Sequence, residues 1–393
     1  MNNFLKRTWA EIDLDALKHN FLEVRNKVGN HTKIMCVVKA DAYGHGVKNL
    51  IEEYESLGAD WYAVSNLEEA IGLRNCGATK PILILGYTPV EMAKTLQNYN
   101  ISQAVLSKEY AEKLISECAK RGATVNVHIK IDTGMSRIGF SAQSDNEIEE
   151  SVESILKLNG CEEVNIEGIF THFSVSDDPL NGKEYTNKQF ENFNKVISLL
   201  EDKGVKIPLK HCCNSGGIME YPGMYMDMVR AGIILYGLSP SKELASKMDL
   251  KPVMRLKTVI SQLKTVKKGT QVSYGRTFTA SKDMKIATVP IGYADGYSRD
   301  FSNKAQMTVC GKRAKIVGRV CMDQLMLDVT DIDEAREGTV VTVFGDSFGN
   351  NVTVDELAKI CGTINYEIVC LIGKRVPRIY IKNGKEIAVF NYV

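Results

Sequence analysis

The stretch KIMCVVKADAYGHG, residues 33–46, decides the first unit of the fold and contains the most informative lysine of the chain. Residues 34–38 form an unbroken apolar run, which is typical of a buried strand, and a turn region rich in Asp, Gly and His follows it. Lys39 stands where this strand ends. Because burial disfavours an ammonium group, a lysine here is driven towards the neutral amine that Schiff-base chemistry requires. A lysine that extends into solvent at the strand end is the alternative.

Outward from this stretch, apolar runs alternate with charged, periodic segments. GVKNLIEEYESLG (46–58) and KEYAEKLISECAKRG (108–122) are typical of helices that end at glycine. Eight such units within about 240 residues predict a (β/α)₈ barrel. A doubly wound sheet would not give eight units so directly. The predicted strands are 33–39, 61–65, 81–86, 102–106, 124–132, 166–173, 209–214 and 226–231.

The pattern changes after Pro240. Short strand-like runs such as MRLKTVISQLKTV (254–266) and TVVTVFG (339–345) are separated by turn signals such as KKG and REG. The sequence therefore predicts two domains, a barrel over residues 1–240 and a mainly-β C-terminal domain over residues 241–393.

Composition excludes several classes of protein. The chain has 393 residues, 44% hydrophobic and 25% charged, and its 49 basic and 48 acidic residues give a formal charge of +1. We expect a protein that binds neither nucleic acid nor membrane, because it has no basic surplus and no apolar run of about 20 residues. MNNFLKRTWAEIDL lacks the apolar core of a signal peptide, so a cytoplasmic location is expected. The ten cysteines contain no CxxC pair, which favours reduced thiols and no metal site.

The lysine motif has a counterpart in a known family. Lys39 followed by ADAYGHG resembles the pyridoxal-phosphate signature of alanine racemases, in which the lysine carries the cofactor. The other segments that match in order, from RTWAEIDLDAL at the start to RVPRIY near the end, are HIKIDTGMSRIG, THF, HCCNS, VRAGIILYG, VSYGRTF, IGYADGY, GRVCMDQ and INYE.

The matched residues fall where a barrel enzyme carries its active site, after the carboxyl ends of the strands. Lys39 and Tyr43 follow the first predicted strand, and His172 follows the sixth. The resemblance implies a pyridoxal 5'-phosphate site, for which the loops after the last two strands are the recurrent phosphate-binding position of the fold. The implied cofactor-binding residues are Lys39, Tyr43, His172, Asn214, Ser215, Arg230, Gly232, Ile233 and Tyr366.

The resemblance also implies a two-base reaction. Racemisation removes a proton from one face of the α-carbon and returns one to the other, and Lys39 and Tyr274 match the two catalytic groups. Arg230 would face the pyridine nitrogen, with His211 supporting it. Because an arginine stays protonated, it cannot readily give that nitrogen a proton, and the cofactor stays a weaker electron sink.

The substrate is implied to be alanine. Arg137 and the backbone amide of Met322 match the groups that bind its carboxylate. Lys130, which is often carbamylated in the family, would position Arg137 as an anion. Tyr293 and Tyr366 would narrow the entrance and favour a methyl side chain. Asp323 would support Tyr274 or its loop.

The resemblance further implies a homodimer in which Tyr274, Tyr293 and Met322 enter the partner's barrel, and D-alanine production for peptidoglycan. Three alternatives stay open: a racemase for serine or a larger amino acid, a decarboxylase of basic amino acids, and a non-catalytic cofactor-binding barrel. The decarboxylase would need a catalytic cysteine in a CDG-like setting, which GRVCMDQ does not supply. THFSVSDD has serines where alanines are usual. These serines could alter the edge of the pocket, so the sequence does not predict strict exclusion of serine as a substrate.

Overall fold

The computed structural model describes residues 5–345 and 350–392, in which two large sheets dominate. The strands are β1 (Thr8–Asp13), β2 (Lys33–Val37), β3 (Trp61–Val64), β4 (Ile82–Ile84), β5 (Ile101–Val105), β6 (Val125–Asp132), β7 (Phe140–Ser141), β8 (Val164–Phe170), β9 (Leu209–His211), β10 (Met228–Ala231), β11 (Met254–Val259), β12 (Gln262–Val266), β13 (Gln271–Val272), β14 (Phe278–Thr279), β15 (Met284–Val289), β16 (Gln306–Val309), β17 (Lys312–Ile316), β18 (Leu325–Asp328), β19 (Val340–Phe344), β20 (Arg378–Lys382) and β21 (Lys385–Phe390). The helical segments are α1 (Leu14–Val28), α2 (Lys39–Tyr43), α3 (Ile51–Ser56), α4 (Leu67–Asn75), α5 (Ala93–Asn98), α6 (Lys108–Arg121), α7 (Asp145–Asn159), α8 (Lys183–Asp202), α9 (Ser215–Glu220), α10 (Val354–Cys361) and α11 (Asn365–Cys370).

The predicted barrel is confirmed. Strands β2, β3, β4, β5, β6, β8 and β9 pair in parallel in chain order, and β10 returns to pair with β2. The remaining seam, between β9 and β10, is bridged by backbone hydrogen bonds from Asp227 to Lys210 (3.1 Å) and from Arg230 to Cys213 (3.0 Å). Helices between the strands cover the outside, as in other barrels of this type.

All eight predicted barrel strands are present, with different ends. The strand predicted over 33–39 ends at Val37, because the residues after Lys39 turn in the left-handed sense. The strands predicted over 166–173 and 209–214 end at Phe170 and His211. In each case one residue beyond the strand end belongs to the predicted site. These residues are Lys39, His172 and Asn214.

The C-terminal part is mainly β, as predicted, and it includes the chain's first strand. The ten-stranded sheet has the order β12-β15-β18-β17-β16-β19-β11-β1-β20-β21. Strand β1 pairs antiparallel with β11 and parallel with β20. Helices α10 and α11 belong to this part of the chain, and α11 lies against the turn that follows Lys39. Through α11, the C-terminal part of the chain therefore reaches the barrel rim beside Lys39.

Local sequence explains the helix ends. Asp13 accepts hydrogen bonds from the amides of Asp15 and Ala16 at the start of α1, and Ser144 and Glu147 form a capping box at the start of α7. Among the described residues, no helix has the length and apolar character that a membrane crossing requires. Each of the ten cysteines, all within the described residues, is a free thiol, as predicted.

Candidate active site

Lys39 opens a strained turn directly after β2. The four residues that follow, Ala40–Tyr43, have φ between 51° and 56°. Left-handed geometry costs a residue with a side chain roughly 1–2 kcal/mol. Glu69, on α4, supports the turn because its carboxylate accepts the amides of Ala40 (2.7 Å) and Ser65 (2.8 Å). Strain of this kind is concentrated at functional sites.

The environment of Lys39 favours its neutral form. Burial and the positive charge of Arg137 lower the pKa of Lys39, and Cys370 and Glu69 act in the opposite direction. The side chain is half-buried. A lysine whose pKa is lowered is a better nucleophile and proton acceptor at neutral pH.

Arg230 lies buried in the barrel and is held by neutral groups. Its guanidinium donates hydrogen bonds to Nδ1 of His211 (3.0 Å) and to the carbonyls of Thr171 (2.7 Å) and Cys212 (2.9 Å). The ring of Phe170 lies 5.4 Å from its Cζ atom. Burial lowers the pKa of Arg230 to about 10, so the group stays protonated at neutral pH. It can therefore donate hydrogen bonds in the site but does not readily give up a proton.

A chain of two buried histidines fixes the orientation of Arg230. Because arginine is only a donor, Nδ1 of His211 must accept, and its Nε2–H then donates to Nδ1 of His128 at 2.9 Å. Nε2 of His128 lies 4.0 Å from the carboxylate of Glu167. Burial lowers the pKa of His211 well below its usual value and that of His128 to about 3. Both rings are therefore neutral, each in one tautomer.

His172 lies where the predicted cations converge. Its pKa is lowered well below the usual value by burial and then by Arg230, Arg137, Lys130 and Lys39, in that order. Nδ1 of His172 is 3.4 Å from Nη2 of Arg230. One rim of the barrel therefore carries four basic side chains near a neutral imidazole, and because Arg230 keeps its charge at neutral pH, this rim favours an anionic ligand.

The loops after β9 and β10 form an amide-rich cup. Asn214 caps α9, and its Oδ1 accepts the amide of Gly217 at 2.9 Å. The neighbouring Ser215 accepts the amide of Gly232 at 3.1 Å. Ile233 then opens a 3-10 turn, Ile233–Tyr236. Backbone amides and a hydroxyl at successive turns are the usual donors to a bound phosphate.

Two tyrosines border this cup from different parts of the chain. Tyr43 comes from the turn after Lys39 and Tyr366 from α11, and their ring centroids are 6.1 Å apart. Burial raises the pKa of both hydroxyls, which therefore stay protonated. A Cβ atom at Gly232 would lie 3.0 Å from the hydroxyl of Tyr43 and 3.5 Å from that of Ser215. Glycine at 232 thus keeps the cup open.

Lys130 is a buried lysine with an unusual environment. Its side chain is only 2% exposed, and Nζ donates to the carbonyl of Ile131 at 2.6 Å. Burial lowers the pKa of Lys130 to about 7; Asp132 opposes this shift, and Arg230 and Arg137 add to it. A substantial fraction of this amine is therefore neutral at physiological pH.

Asp132, which the sequence argument did not single out, organises the loop that carries Arg137. Its carboxylate accepts the amides of Gly134 (3.0 Å), Ser136 (3.0 Å) and Arg137 (3.2 Å). The side chain of Arg137 itself is exposed. An aspartate that accepts amides two residues further on is the known signal for such a turn, and DTG at 132–134 contains it.

Two other supporting residues were also missed. His128 precedes Lys130 by two residues on β6, so strand periodicity could have placed both side chains on one face. For Glu69, the sequence contains no comparable signal, since its role depends on amides from two separate loops.

Tyr274, Tyr293 and Met322 lie together on the C-terminal domain, on exposed loops. Their side chains are 71%, 43% and 53% exposed. Hydrogen bonds connect the three loops: Ser273 donates to the carbonyl of Arg319 (2.8 Å), and the amide of Ala294 donates to that of Met322 (3.0 Å).

The remaining predicted group, Asp323, pairs with a neighbouring arginine. Its carboxylate accepts Nη2 of Arg375 at 2.6 Å, and Nε of Arg375 binds the buried Asp295 at 2.8 Å. Asp323 is thereby connected to the loop that contains Tyr293. The structure thus brings the barrel residues and Tyr366 together, and it gathers Tyr274, Tyr293 and Met322 as a separate exposed group.

Comparison with known proteins identifies the family. The family model described as alanine racemase, N-terminal domain, matches residues 12–240, and the one described as alanine racemase, C-terminal domain, matches residues 253–380. The alanine racemase of Clostridium perfringens is 46% identical to this chain, and the match covers 100% of both chains.

Solved structures agree with this assignment. The alanine racemase of Clostridium difficile 630 superposes with a TM-score of 0.93 at 40% identity, covering 100% of both chains. A histidine racemase from Leuconostoc mesenteroides, 30% identical, superposes with a TM-score of 0.86 over 97% of this chain and 100% of that one. Two family models in sequence order and a full-length relative, on a fold whose rim gathers the predicted residues, place this chain in the alanine racemase family.

Proposed function

We propose that this protein interconverts L-alanine and D-alanine with pyridoxal 5'-phosphate as cofactor, by a two-base mechanism in which Lys39 and Tyr274 act on opposite faces of the α-carbon. The barrel rim supports it most directly, because the buried, protonated Arg230 lies 3.4 Å from Nδ1 of His172 and Lys39 opens the turn directly after β2. A cofactor phosphate and a substrate carboxylate are both anionic, and this rim supplies cations and amide donors for each.

The residues fit this cofactor. Ser215, the amides of Gly232 and Ile233, Tyr43 and Tyr366 would hold its phosphate, and a Cβ atom at Gly232 would crowd the hydroxyl of Tyr43 at 3.0 Å. His172 and Asn214 would border the ring. When bound, the cofactor supplies the electron sink that stabilises negative charge at the α-carbon.

Two groups of this chain would move the protons. Nζ of Lys39, whose pKa is lowered by burial and by Arg137, would take the α-proton from one face. Oη of Tyr274 would act on the other face. Arg230 would donate a hydrogen bond to the ring nitrogen while keeping its own proton, since its pKa of about 10 is well above neutral. His211 would hold Arg230 in that position.

Substrate recognition would combine charge and shape. The fork of Arg137 and the amide of Met322 would bind the carboxylate. Lys130, with its pKa of about 7, has a neutral fraction that can react with carbon dioxide, and the carbamate would attract Arg137 as a lysine could not. Tyr293 and Tyr366 would narrow the entrance to favour a methyl side chain, and Asp323 would steady the loop of Tyr293 through Arg375.

The proposal includes the arrangement of the chain. Residues 1–240 would bind the cofactor with the help of Tyr366, and residues 241–393 would contribute Tyr274 and Met322 to the site of a partner subunit. The exposure of Tyr274 and Met322 supports this homodimer. We further propose that the enzyme acts in the cytoplasm and that its D-alanine serves peptidoglycan synthesis.

Incubation with single amino acids tests the function. The purified protein is given L-alanine, L-serine or L-histidine in separate reactions, and the enantiomers are separated by chiral chromatography. We expect D-alanine to form fastest. Faster formation of D-serine or D-histidine would assign the protein to a different substrate, and no D-amino acid in any reaction would contradict the proposal.

A further inference from the structure

The turn that follows Lys39 needs support from outside itself. Four successive residues, 40–43, occupy the left-handed region, which L-residues other than glycine rarely adopt. Such a conformation persists only where neighbouring groups hold it. Glu69 holds the first amide of the turn. The other end of the turn is held by the last strands of the chain.

Arg378, the first residue of β20, binds the end of the turn. Its Nε donates to the carbonyl of Gly44 at 2.9 Å, and Nη2 and Nη1 donate to the carbonyls of Ile372 (2.7 Å) and Gly373 (2.7 Å). The side chain is 1% exposed. A buried guanidinium with several carbonyl partners joins these segments rigidly, because its donors lie in one plane.

Two tyrosines complete this contact. Tyr380 donates to the carbonyl of Gly46 at 2.8 Å, so closely that a Cβ atom at Gly46 would lie 2.2 Å from its hydroxyl. The hydroxyl of Tyr392 donates to Oδ2 of Asp41, inside the left-handed turn. The ring of Tyr392 lies 5.1 Å from Cζ of Arg378, a distance suited to a cation–π interaction.

We propose that Arg378 and Tyr392 are positioning residues, which clamp the left-handed turn through Gly44 and Asp41 and thereby fix the direction in which Lys39 presents its amine. This inference rests on one part of the proposed function, namely that Lys39 carries the amine that reacts with the cofactor. Both residues act through the backbone or through Asp41. Their loss should therefore change how fast the amine reacts more than how tightly the protein binds alanine.

Tyr392→Phe isolates the contact, because it keeps the ring beside Arg378 and removes the hydroxyl. Tyr110→Phe is the matched control: Tyr110, on α6, is buried and donates to the carbonyl of Thr88 at 2.8 Å, on another part of the barrel. In Tyr392→Phe we expect faster hydrogen exchange in residues 39–47. We also expect Lys39 to form its covalent bond with added pyridoxal phosphate, which borohydride reduction fixes, roughly tenfold more slowly. A tenfold change corresponds to the loss of about one charge-assisted hydrogen bond. The kcat for alanine should fall similarly with little change in KM.

Asp41→Asn tests the same contact from the other side. The amide Oδ1 can still accept the amide of Val47, which Asp41 accepts at 2.8 Å, while the charge that faces Tyr392 is lost. If the two residues act through one contact, the double variant should react no more slowly than the slower single variant.

The outcomes separate this inference from the function on which it rests. Exchange and bond-formation rates in Tyr392→Phe that equal those in Tyr110→Phe would overturn the clamp. Faster exchange with an unchanged bond-formation rate would also overturn it, because the amine would then be positioned without the clamp. A wild-type protein that fails to racemise alanine would contradict the proposed function, whereas exchange and bond formation would still decide on the clamp.

Discussion

Burial acts differently on the two cations that lie deepest in the site. Arg230 and Lys130 are 3% and 2% exposed, and each has the ring of Phe170 within 6 Å. Burial lowers the pKa of Arg230 to about 10 and that of Lys130 to about 7. At neutral pH the arginine therefore keeps its charge, and the lysine is partly neutral and open to modification. In similar surroundings, therefore, Arg230 is a permanent hydrogen-bond donor and Lys130 is a reactive amine.

Lys39→Ala should abolish covalent binding of the cofactor. Without Nζ, borohydride can fix no cofactor at this position, and loss of one acid–base group should lower the rate of racemisation roughly 10²–10⁴-fold. The measurement is mass spectrometry of the reduced protein together with chiral chromatography. Lys33→Ala, which replaces an exposed lysine at the start of β2, the strand that precedes Lys39, should retain both label and activity. A labelled Lys39→Ala protein would contradict the assignment.

Lys130 should make activity depend on carbon dioxide. Its folded pKa is lowered to about 7. The neutral fraction that forms a carbamate therefore rises with pH through this value and falls about tenfold for each unit below it. In carbon-dioxide-free buffer we expect kcat/KM to fall, more strongly above pH 7, where the carbamate forms, than below it, and bicarbonate to restore it.

The carbamate on Lys130 can be detected directly with an isotope label. Bicarbonate enriched in ¹³C should give a carbamate signal in the wild-type protein that Lys130→Met lacks. A carbamate signal that persists in Lys130→Met, or activity indifferent to carbon dioxide at every pH, would refute the role of Lys130.

At the scale of single residues, the sequence predicted where the candidate site residues lie better than it predicted the residues that support them. Lys39, Arg230 and Ser215 lie at strand ends in readable motifs, and the barrel rule predicts that such residues share one rim. Glu69 acts by accepting amides from two separate loops, and no local pattern encodes that. His128 matters because its ring fixes a tautomer, which depends on a residue 83 positions away.

Among the elements, the turn after β2 most clearly shows tertiary structure overriding local preference. Alanine and tyrosine disfavour left-handed geometry and aspartate adopts it only occasionally, so the sequence predicted a strand that extended to Lys39. The contacts of Glu69, Arg378 and α11 impose the turn instead. Elements with regular periodicity were predicted well. The predicted end of the strand over 33–39 was wrong because tertiary contacts, which the local sequence does not encode, impose the turn.

The packing of α11 on the turn predicts a large effect of one methyl group. Gly44 has φ 80°, and a Cβ atom there would lie 2.2 Å from the carbonyl oxygen of Val369 on α11. Gly122, which ends α6, is also left-handed, with φ 57°, and a Cβ atom there would have no atom within 4 Å. Gly122→Ala should therefore lower the free energy of unfolding only by the strain, about 1 kcal/mol. Gly44→Ala should lower it by about 1–3 kcal/mol more.

Urea denaturation measures both effects. Gly44→Ala should also weaken cofactor binding, because Tyr366 lies on the displaced helix. Equal destabilisation by the two substitutions would show that α11 adapts to the turn and does not hold it.

For the whole molecule, three of the predicted site residues, Tyr274, Tyr293 and Met322, lie exposed on the C-terminal domain. Tyr274 lines a surface hollow with Lys264, Gln271 and Cys321, all from the C-terminal domain. Exposed aromatic and methionine side chains that cluster on one face are typical of an interaction surface. The sequence predicted both domains but contains no pattern that says which barrel Tyr274 meets, since assembly depends on the shapes of two finished surfaces.

Mixing two inactive variants decides which barrel Tyr274 completes. Lys39→Ala lacks one catalytic group and Tyr274→Ala the other, so each homodimer should be inactive. If Tyr274 enters the partner's barrel, a heterodimer has one site without both groups and one site with both intact, and activity should reappear at up to one site per heterodimer. If each chain builds its own site, every site lacks one group, and the mixture should stay inactive after exchange of subunits has been confirmed by native mass spectrometry. A mixture of Lys39→Ala with Lys39→Arg controls for the act of mixing, because no pairing of these chains restores the lysine. Activity in the first mixture alone would establish that the exposed tyrosine of one chain serves the lysine of another, and a silent first mixture with confirmed heterodimers would refute the shared site.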